Sequence, residues 1–430
     1  MTTRRTFLKL GAASVALPAL LTTAQAKTAA QAAVPRLLAD DTYPIGFFWP
    51  PPSSETNLAR YQQIADAGFT FVNSGNDVHG WDKSLPMLQR CADVGLTALP
   101  SDDRISQATV CPGWQDEIRR VRDQYAALPA FGGFRLYDEP APRLYPRLRM
   151  IADVLAAAGP TDLTHVNLVP FYDPRQEAAY KDFLNRYVDQ FAPTFISFDH
   201  YPLLTDNTLR PTYFLNWALI RQAGLQAGLP TWTYIQTLLH GNMKSPTREE
   251  LRWQISMSLA YGCKGIQYFT YWQPVGRPDF TFGPALIDAQ GRPTEKYGWA
   301  RTINTTWLQP IGRQLKHLVS ESVVHANEDP LPLGATRFSP STQLRSVAGD
   351  PAVLGQFRTV ADDGRRWLFV ANRRYGAAAN VTITVQAAVG AVEEFVPATG
   401  VYQPVTLTAG AFRVTIEAGS GRLFRLTGAP

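Results

Sequence analysis

Phe131-Gly132-Gly133-Phe134-Arg135-Leu136-Tyr137-Asp138-Glu139-Pro140 is the stretch that decides the fold. Its apolar run predicts a strand. The adjacent carboxylates put acids at that strand's C-terminal end, and the proline stops backbone pairing directly afterwards. Acids placed this way belong on the C-terminal rim of a parallel α/β barrel, where such folds carry their reacting groups. A barrel requires seven more strands of the same kind.

Outward from this segment, short apolar runs alternate with amphipathic stretches. Strands are expected at residues 44–49, 69–73, 96–100, 131–137, 163–170, 194–199, 231–236 and 265–270. Helices are expected at 55–67, 83–94, 115–127, 143–158, 175–190, 211–227 and 247–261, with a last one over 294–318. Eight strand–helix units predict a (β/α)8 barrel over residues 43–322. Gly68, Gly95, Gly159, Gly228 and Gly262 each follow a predicted helix, where a left-handed cap residue is wanted. Ser245-Pro246-Thr247-Arg248-Glu249-Glu250 supplies a cap, an early proline and acids for a helix start. Residues 323–430 change to period-two alternation, with strands expected at 352–358, 366–372, 380–386, 392–396, 401–408 and 412–416. That pattern predicts an antiparallel β-sandwich, taken as a packing module in preference to a carbohydrate-binding one.

The 430 residues, 45% hydrophobic and 11% aromatic, suffice for one large domain and a smaller one. Thr3-Arg4-Arg5-Thr6-Phe7-Leu8-Lys9, an apolar run from Leu10 to Leu21 and Ala24-Gln25-Ala26 resemble a twin-arginine export signal over residues 1–26. The apolar run is shorter than the ~20 residues that span a bilayer. The expectation is therefore a periplasmic or secreted protein that meets the export machinery through this signal and keeps no stable membrane insertion, with 27–42 as a linker. Removing the signal takes away three basic residues and no acid, so the formal charge falls from +5 to +2. No basic block interleaved with aromatics remains, which argues against nucleic acid as a partner. Cys91, Cys111 and Cys263 have no metal spacing and are expected as buried small hydrophobes, with one pair possible in an oxidising compartment. The six histidines show no paired ligand spacing, so neither a metal nor an organic cofactor is expected.

The expected strand ends offer carboxylates and aromatics almost everywhere. They include Phe48 and Trp49; Asn73, then Asp77 and His79; Asp102 and Asp103; Tyr137, Asp138 and Glu139; Tyr172 and Asp173; Asp199, His200 and Tyr201; Gln236; and Tyr268, Tyr271, Trp272 and Gln273. Such a rim suits a sugar, whose ring faces stack on aromatics while its hydroxyls need directed polar partners. Glycoside hydrolysis needs two carboxyl functions, one to protonate the leaving oxygen and one to handle the oxocarbenium ion. Glu139 is the expected acid, with its pKa raised by neighbouring carboxylates. Asp199, closing another strand ahead of Pro202, is the leading second carboxyl. Strand alternation leaves open whether Asp138 shares the pocket with Glu139.

Residues 133–140, Ile196-Ser197-Phe198-Asp199-His200-Tyr201-Pro202 and Phe282-Gly283-Pro284-Ala285-Leu286-Ile287-Asp288, leading to Gly291-Arg292-Pro293-Thr294, resemble the (β/α)8-barrel glycoside hydrolases whose acid/base Glu ends strand four. The resemblance implies an enzyme cleaving O-glycosidic bonds of a poly- or oligosaccharide. It places Glu139, Asp138 and Asp199 in catalysis and Asn73, Asp77, Tyr137, Tyr201, Gln236, Tyr268 and Trp272 against the carbohydrate. Two departures stand out: Asp138 occupies the place of the family's usual Asn, and Gln236 that of the strand-seven nucleophilic Glu. A carboxamide cannot serve as that nucleophile. The Asp138-Glu139 pair also resembles hexosaminidases that use the substrate's own acetamido group as nucleophile. A non-catalytic carbohydrate-binding protein on a barrel scaffold is the third expectation.

Overall fold

The structure, a computed structural model, describes residues 33–108, 111–276 and 281–428. The expected export signal, residues 1–26, lies outside the described residues. Eight parallel strands form a closed barrel: β1 (Ile45–Phe48), β2 (Phe71–Asn73), β3 (Thr97–Leu99), β4 (Gly133–Asp138), β5 (Leu163–Leu168), β6 (Ile196–Asp199), β7 (Thr231–Gln236) and β8 (Gly265–Phe269). Six pair in the order β1-β8-β7-β6-β5-β4, and β2 pairs with β3. Two seams close the ring. The Thr70 amide donates to the Ile45 carbonyl (2.7 Å), and Gly132 N–H donates to the Ala98 carbonyl (3.0 Å).

Helices α2 (Leu58–Asp66), α3 (Gly80–Asp93), α5 (Trp114–Ala126), α6 (Tyr145–Ala158), α7 (Glu177–Arg186), α8 (Tyr213–Ala227) and α9 (Arg248–Ala260) follow the strands as the sequence predicts, and a short α4 (Asp103–Ser106) is added. The last predicted helix is α10 (Glu295–Ile303) and α11 (Gln309–Lys316), joined by a π-helical turn at Asn304–Leu308. Thr247 and Glu250 form the reciprocal cap that the sequence of α9 suggested. Gly228 takes the left-handed cap conformation (φ 67°), whereas Gly159, expected to do the same, sits at φ −146°.

Alternation along the strands fills the barrel interior in layers. Phe71, Leu99, Leu163, Phe195 and Trp232 make an apolar floor near the N-terminal ends. Two residues further along their strands, Asn73, His165, Ser197 and Tyr234 join Gln267 of β8 in a polar layer. Part of the expected linker has a defined task here. Residues Arg36–Ala39 form α1, whose Leu37 packs on the apolar floor and plugs the barrel from below. Lys316 holds this plug through the carbonyls of Leu37, Asp40 and Thr42.

The C-terminal part is an antiparallel sandwich of β9 (Val319–Ala326), β10 (Leu344–Gly349), β11 (Ala352–Arg358), β12 (Arg366–Asn372), β13 (Ala379–Val385), β14 (Val389–Val396), β15 (Val401–Pro404), β16 (Ala411–Ile416) and β17 (Gly421–Gly428). Its sheets run β15-β14-β17-β12-β11-β9 and β10-β13-β16. Between them lies a core that includes Leu354, Leu368, Ile383, Val414 and Phe424. β9 runs across the expected boundary at 322/323, so the first strand of the sandwich continues directly from the last barrel helix. Cys91 and Cys263 are buried as expected, Cys111 is exposed against expectation, and all three are unpaired. Among the described residues no helix is long and apolar enough to cross a membrane.

Candidate active site

β4 has a register irregularity that decides which way its acids point. Arg135 pairs with His165 of β5, but Tyr137, two residues on, pairs with the very next residue, Val166. The extra residue, Leu136, is a bulge that resets the alternation of the strand end. In a regular strand residues i and i+3 face opposite sides. Here Arg135 and Asp138 share one side and form an ion pair of 2.9 Å. Glu139 then takes a left-handed conformation (φ 49°), while its amide donates to the Asn167 carbonyl at 2.8 Å. Bulge and left-handed residue together bring Asp138 and Glu139 to one cavity, contrary to simple alternation.

That cavity, of about 490 Å³, opens at the C-terminal ends of the strands. Arg135, Asp138, Glu139, Asn167, Tyr172, Asp199, Tyr201, Tyr234, Phe48 and Phe269 are among the residues on its walls. Tyr201 and Phe269 lie with ring centroids 5.2 Å apart, and Arg135 stacks on Phe48 at 4.4 Å. The carboxyl of Asp199 is buried and lines the same cavity as the exposed carboxyl of Glu139. Asn167 Nδ2 donates to Asp199 Oδ1 at 2.9 Å. Desolvation, then the charge of Asp138, raises the Glu139 pKa, against a lowering hydrogen bond from Asp199. Asp199 is pushed well above the ordinary carboxylate range, first by burial and then by the charges of Glu139 and Asp138. Neighbouring carboxyls raised in this way favour the state in which the pair carries one proton.

The expected site residues divide clearly. Glu139, Asp138, Asp199 and Tyr201 meet in the cavity. Six others do not line it. Asn73 lies beneath the cavity, bonded to Tyr234 Oη and Gln267 Oε1. Asp77 is held by the Ser53 amide and Lys83. Tyr137 packs against the hydrophobic core on the far side of the strand end from Asp138. Gln236 is consumed by backbone: it binds the amide and carbonyl of Leu203 and the carbonyl of Lys244. Tyr268 points outward, its hydroxyl donating to Asn304 in the π-helical turn. Trp272 is buried beneath Arg60.

Sequence reasoning passed over Arg135, Asn167, Tyr234 and Phe269 as site residues. Asn167 and Tyr234 sit four and two residues from the floor residues Leu163 and Trp232 of their own strands, and Phe269 sits two residues beyond Gln267 of the polar layer, which is the signal that could have found them. His240 and Met243 come from the loop after β7 and carried no such signal. A larger cleft, about 880 Å³, is lined by residues of α9–α11 and of the sandwich. Its charged side chains are largely spent on one another, as in Arg252–Glu417 and Arg422–Glu394. Among the described residues no group of three or more His, Cys, Asp or Glu side chains is gathered to hold a metal ion.

No protein-family model matches the chain. No curated protein matches it. Similar solved structures include a β-L-arabinopyranosidase from Geobacillus stearothermophilus, 11% identical with a TM-score of 0.48, covering 91% of this chain and 98% of that one. A glucosidase from Croceicoccus marinus is 10% identical with a TM-score of 0.44, covering 91% and 96%. A xylanase of glycoside hydrolase family 30 from Clostridium acetobutylicum is 11% identical with a TM-score of 0.42, covering 90% and 96%.

Proposed function

We propose that this protein is a glycoside hydrolase acting on O-glycosidic bonds of a poly- or oligosaccharide, with Glu139 as the general acid. The observation that carries this reading is the meeting of Asp138, Glu139 and Asp199 in one cavity walled by Phe48, Tyr201 and Phe269. Glu139 is exposed where Asp199 is buried, so it is the carboxyl open to a glycosidic oxygen. Desolvation and the charge of Asp138 raise its pKa, which favours the protonated form that a general acid needs. The carboxyl that remains ionised, with Asp138, supplies negative charge to an oxocarbenium-like transition state. Tyr201, Phe269 and Phe48 offer ring faces for stacking, and Arg135 and Asn167 offer donors to hydroxyls.

A second reading is favoured by the ion pair that holds Asp138 beside Glu139. In the substrate-assisted mechanism no carboxylate needs to stand across from the acid, because the acetamido group of the substrate attacks. Asp138, fixed by Arg135, would then orient that amide.

Reducing-sugar release over a panel of glycans, by the protein and by Glu139→Gln, tests the main reading. Turnover that falls by ~10²-fold or more in the variant supports it. Turnover that survives the substitution removes Glu139 as the acid. Confinement of activity to N-acetylated sugars selects the substrate-assisted route. Sugar binding without turnover, unchanged in Glu139→Gln, selects a binding protein. Residues 1–26 are proposed as an export signal, and N-terminal sequencing of periplasmic or secreted protein is expected to begin at Lys27.

A further inference from the structure

Below the cavity a chain of buried polar side chains leads to Asp199. Gln267 Nε2 donates to Ser197 Oγ (3.0 Å), Ser197 Oγ donates to Asn167 Oδ1 (2.9 Å), and Asn167 Nδ2 donates to Asp199 Oδ1 (2.9 Å). Every donor points the same way, toward the carboxylate. The direction is set at the far end. Gln267 Oε1 receives Asn73 Nδ2 (2.8 Å) and lies 2.9 Å from His165 Nε2, so the Gln267 amide must turn its nitrogen to Ser197. Burial holds His165 neutral, with its pKa lowered to about 3, and an acceptor opposite Nε2 places the single ring proton there. Gln267, Ser197 and His165 are buried in the barrel interior and do not line the cavity.

We propose that Ser197 and Gln267 are positioning residues: they fix the Asn167 amide with its N–H on Asp199 Oδ1, and so leave the other Asp199 oxygen to share the proton with Glu139. The chemistry of an amide makes this a choice between two states. With the Ser197 hydroxyl on its oxygen, Asn167 presents nitrogen to Asp199. If the amide turned over, its oxygen would face Asp199 Oδ1 and would require a proton on that atom. The orientation of one buried amide thus decides whether the pair's proton is available to the acid. Aligned donors also stabilise the singly ionised pair. This rests on the reading of Glu139 and Asp199 as the reacting carboxyls, but its physical content is a titration that can be followed without any substrate.

Other ionisable groups around Asp199 are Asp138, paired to Arg135, and Glu139 at the end of β4, Tyr172 and Tyr180 after β5, Tyr201 after β6 and Tyr234 of β7. Ser197→Ala and Gln267→Met leave all of them in place. Carboxyl carbon NMR of the full chain labelled at Asp and Glu, assigned with Glu139→Gln and Asp199→Asn, gives the two macroscopic steps of the pair. In Ser197→Ala the lower step is expected to rise by about 1 pH unit, with Gln267→Met moving it in the same direction by less. If turnover is found, the acid limb of kcat/KM should rise by the same amount while KM changes little. A lower step that stays within about 0.2 pH unit in whichever variant retains the wild-type circular dichroism overturns the proposal. Absence of turnover on every sugar tested would count against the glycosidase reading alone, because the titration stands without it.

Discussion

Asp199 shows at the scale of one residue how a site opposes stability. Its carboxyl is buried beside another carboxyl and raised above its ordinary range. A group whose folded pKa is raised favours the fold while protonated, so its contribution is full below the ordinary carboxylate range near ~4 and is lost as pH climbs through the raised value. Asn at this position does not titrate, can still accept from Asn167, and donates to Glu139 without charge. Asp199→Asn is therefore expected to stabilise the protein at pH 7 by about 1–2 kcal/mol, a rise in Tm of a few degrees, while turnover collapses. Thermal denaturation at pH 7 and pH 4 checks this: the gain should shrink at pH 4, and a gain that is equal or larger there would refute the cause given. Of the residues involved, Glu139 and Asp199 were legible from sequence because each closes an apolar run shortly before a proline. Gln236 carried the same strand-end signal, yet its carboxamide is spent on the backbone of Leu203 and Lys244, partners that only the folded loop supplies.

At the scale of the element, what sequence reading lacked was the direction of side chains. The strands of a covered parallel sheet are buried on both faces, so β8 (Gly265-Ile266-Gln267-Tyr268-Phe269) shows no polar alternation to tell inside from outside. Its aromatic Tyr268 drew the expectation of a sugar platform, whereas the inward set is Gly265, Gln267 and Phe269. The bulge at Leu136 was equally hidden, since it exists only in the pairing of β4 with β5. In the sandwich the period-two pattern was clear except at β9, which straddles the expected boundary at 322/323, and β10, whose alternation is short. The plug helix α1 was read as linker because four residues carry too little periodicity to register. Its anchoring gives a prediction at this scale. Lys316 Nζ is buried against the carbonyls of Leu37, Asp40 and Thr42 and the Asp40 carboxylate. Lys316→Met would leave those acceptors unpaired, costing about 1–3 kcal/mol. Hydrogen exchange should rise in residues 36–42 while the amides of β6 and β7 stay protected. Unchanged exchange in 36–42 would show that Leu37 alone holds the plug.

At the scale of the whole molecule, the barrel and the sandwich share a core. Phe357, Phe369 and Leu423 of the sandwich belong to the same hydrophobic cluster as Trp253 and Ile311 of the barrel helices. Polar ties cross the same seam: Trp253 Nε1 donates to the Arg373 carbonyl (2.9 Å), Ser256 Oγ to the Gly419 carbonyl (2.7 Å), and Arg221 Nε to Ser320 Oγ (2.9 Å). Backbone meets backbone at Gly355 of β11, where a Cβ would stand 2.3 Å from the Ala260 carbonyl oxygen. A seam of this kind couples the two parts, because opening it exposes large apolar side chains on both. Calorimetry of the full chain is expected to show one cooperative transition rather than two. Gly355→Val forces β11 away from the end of α9 and should lower Tm by about 5 °C or more through overpacking. The loss should fall on barrel and sandwich together, so near-ultraviolet signals from Trp217 in the barrel and Trp367 in the sandwich should disappear at one temperature. Two resolved transitions in the unmodified protein, or a Gly355→Val variant that melts only its sandwich, would mean that the seam is a docking contact between independent domains and that the barrel's rim is organised without it.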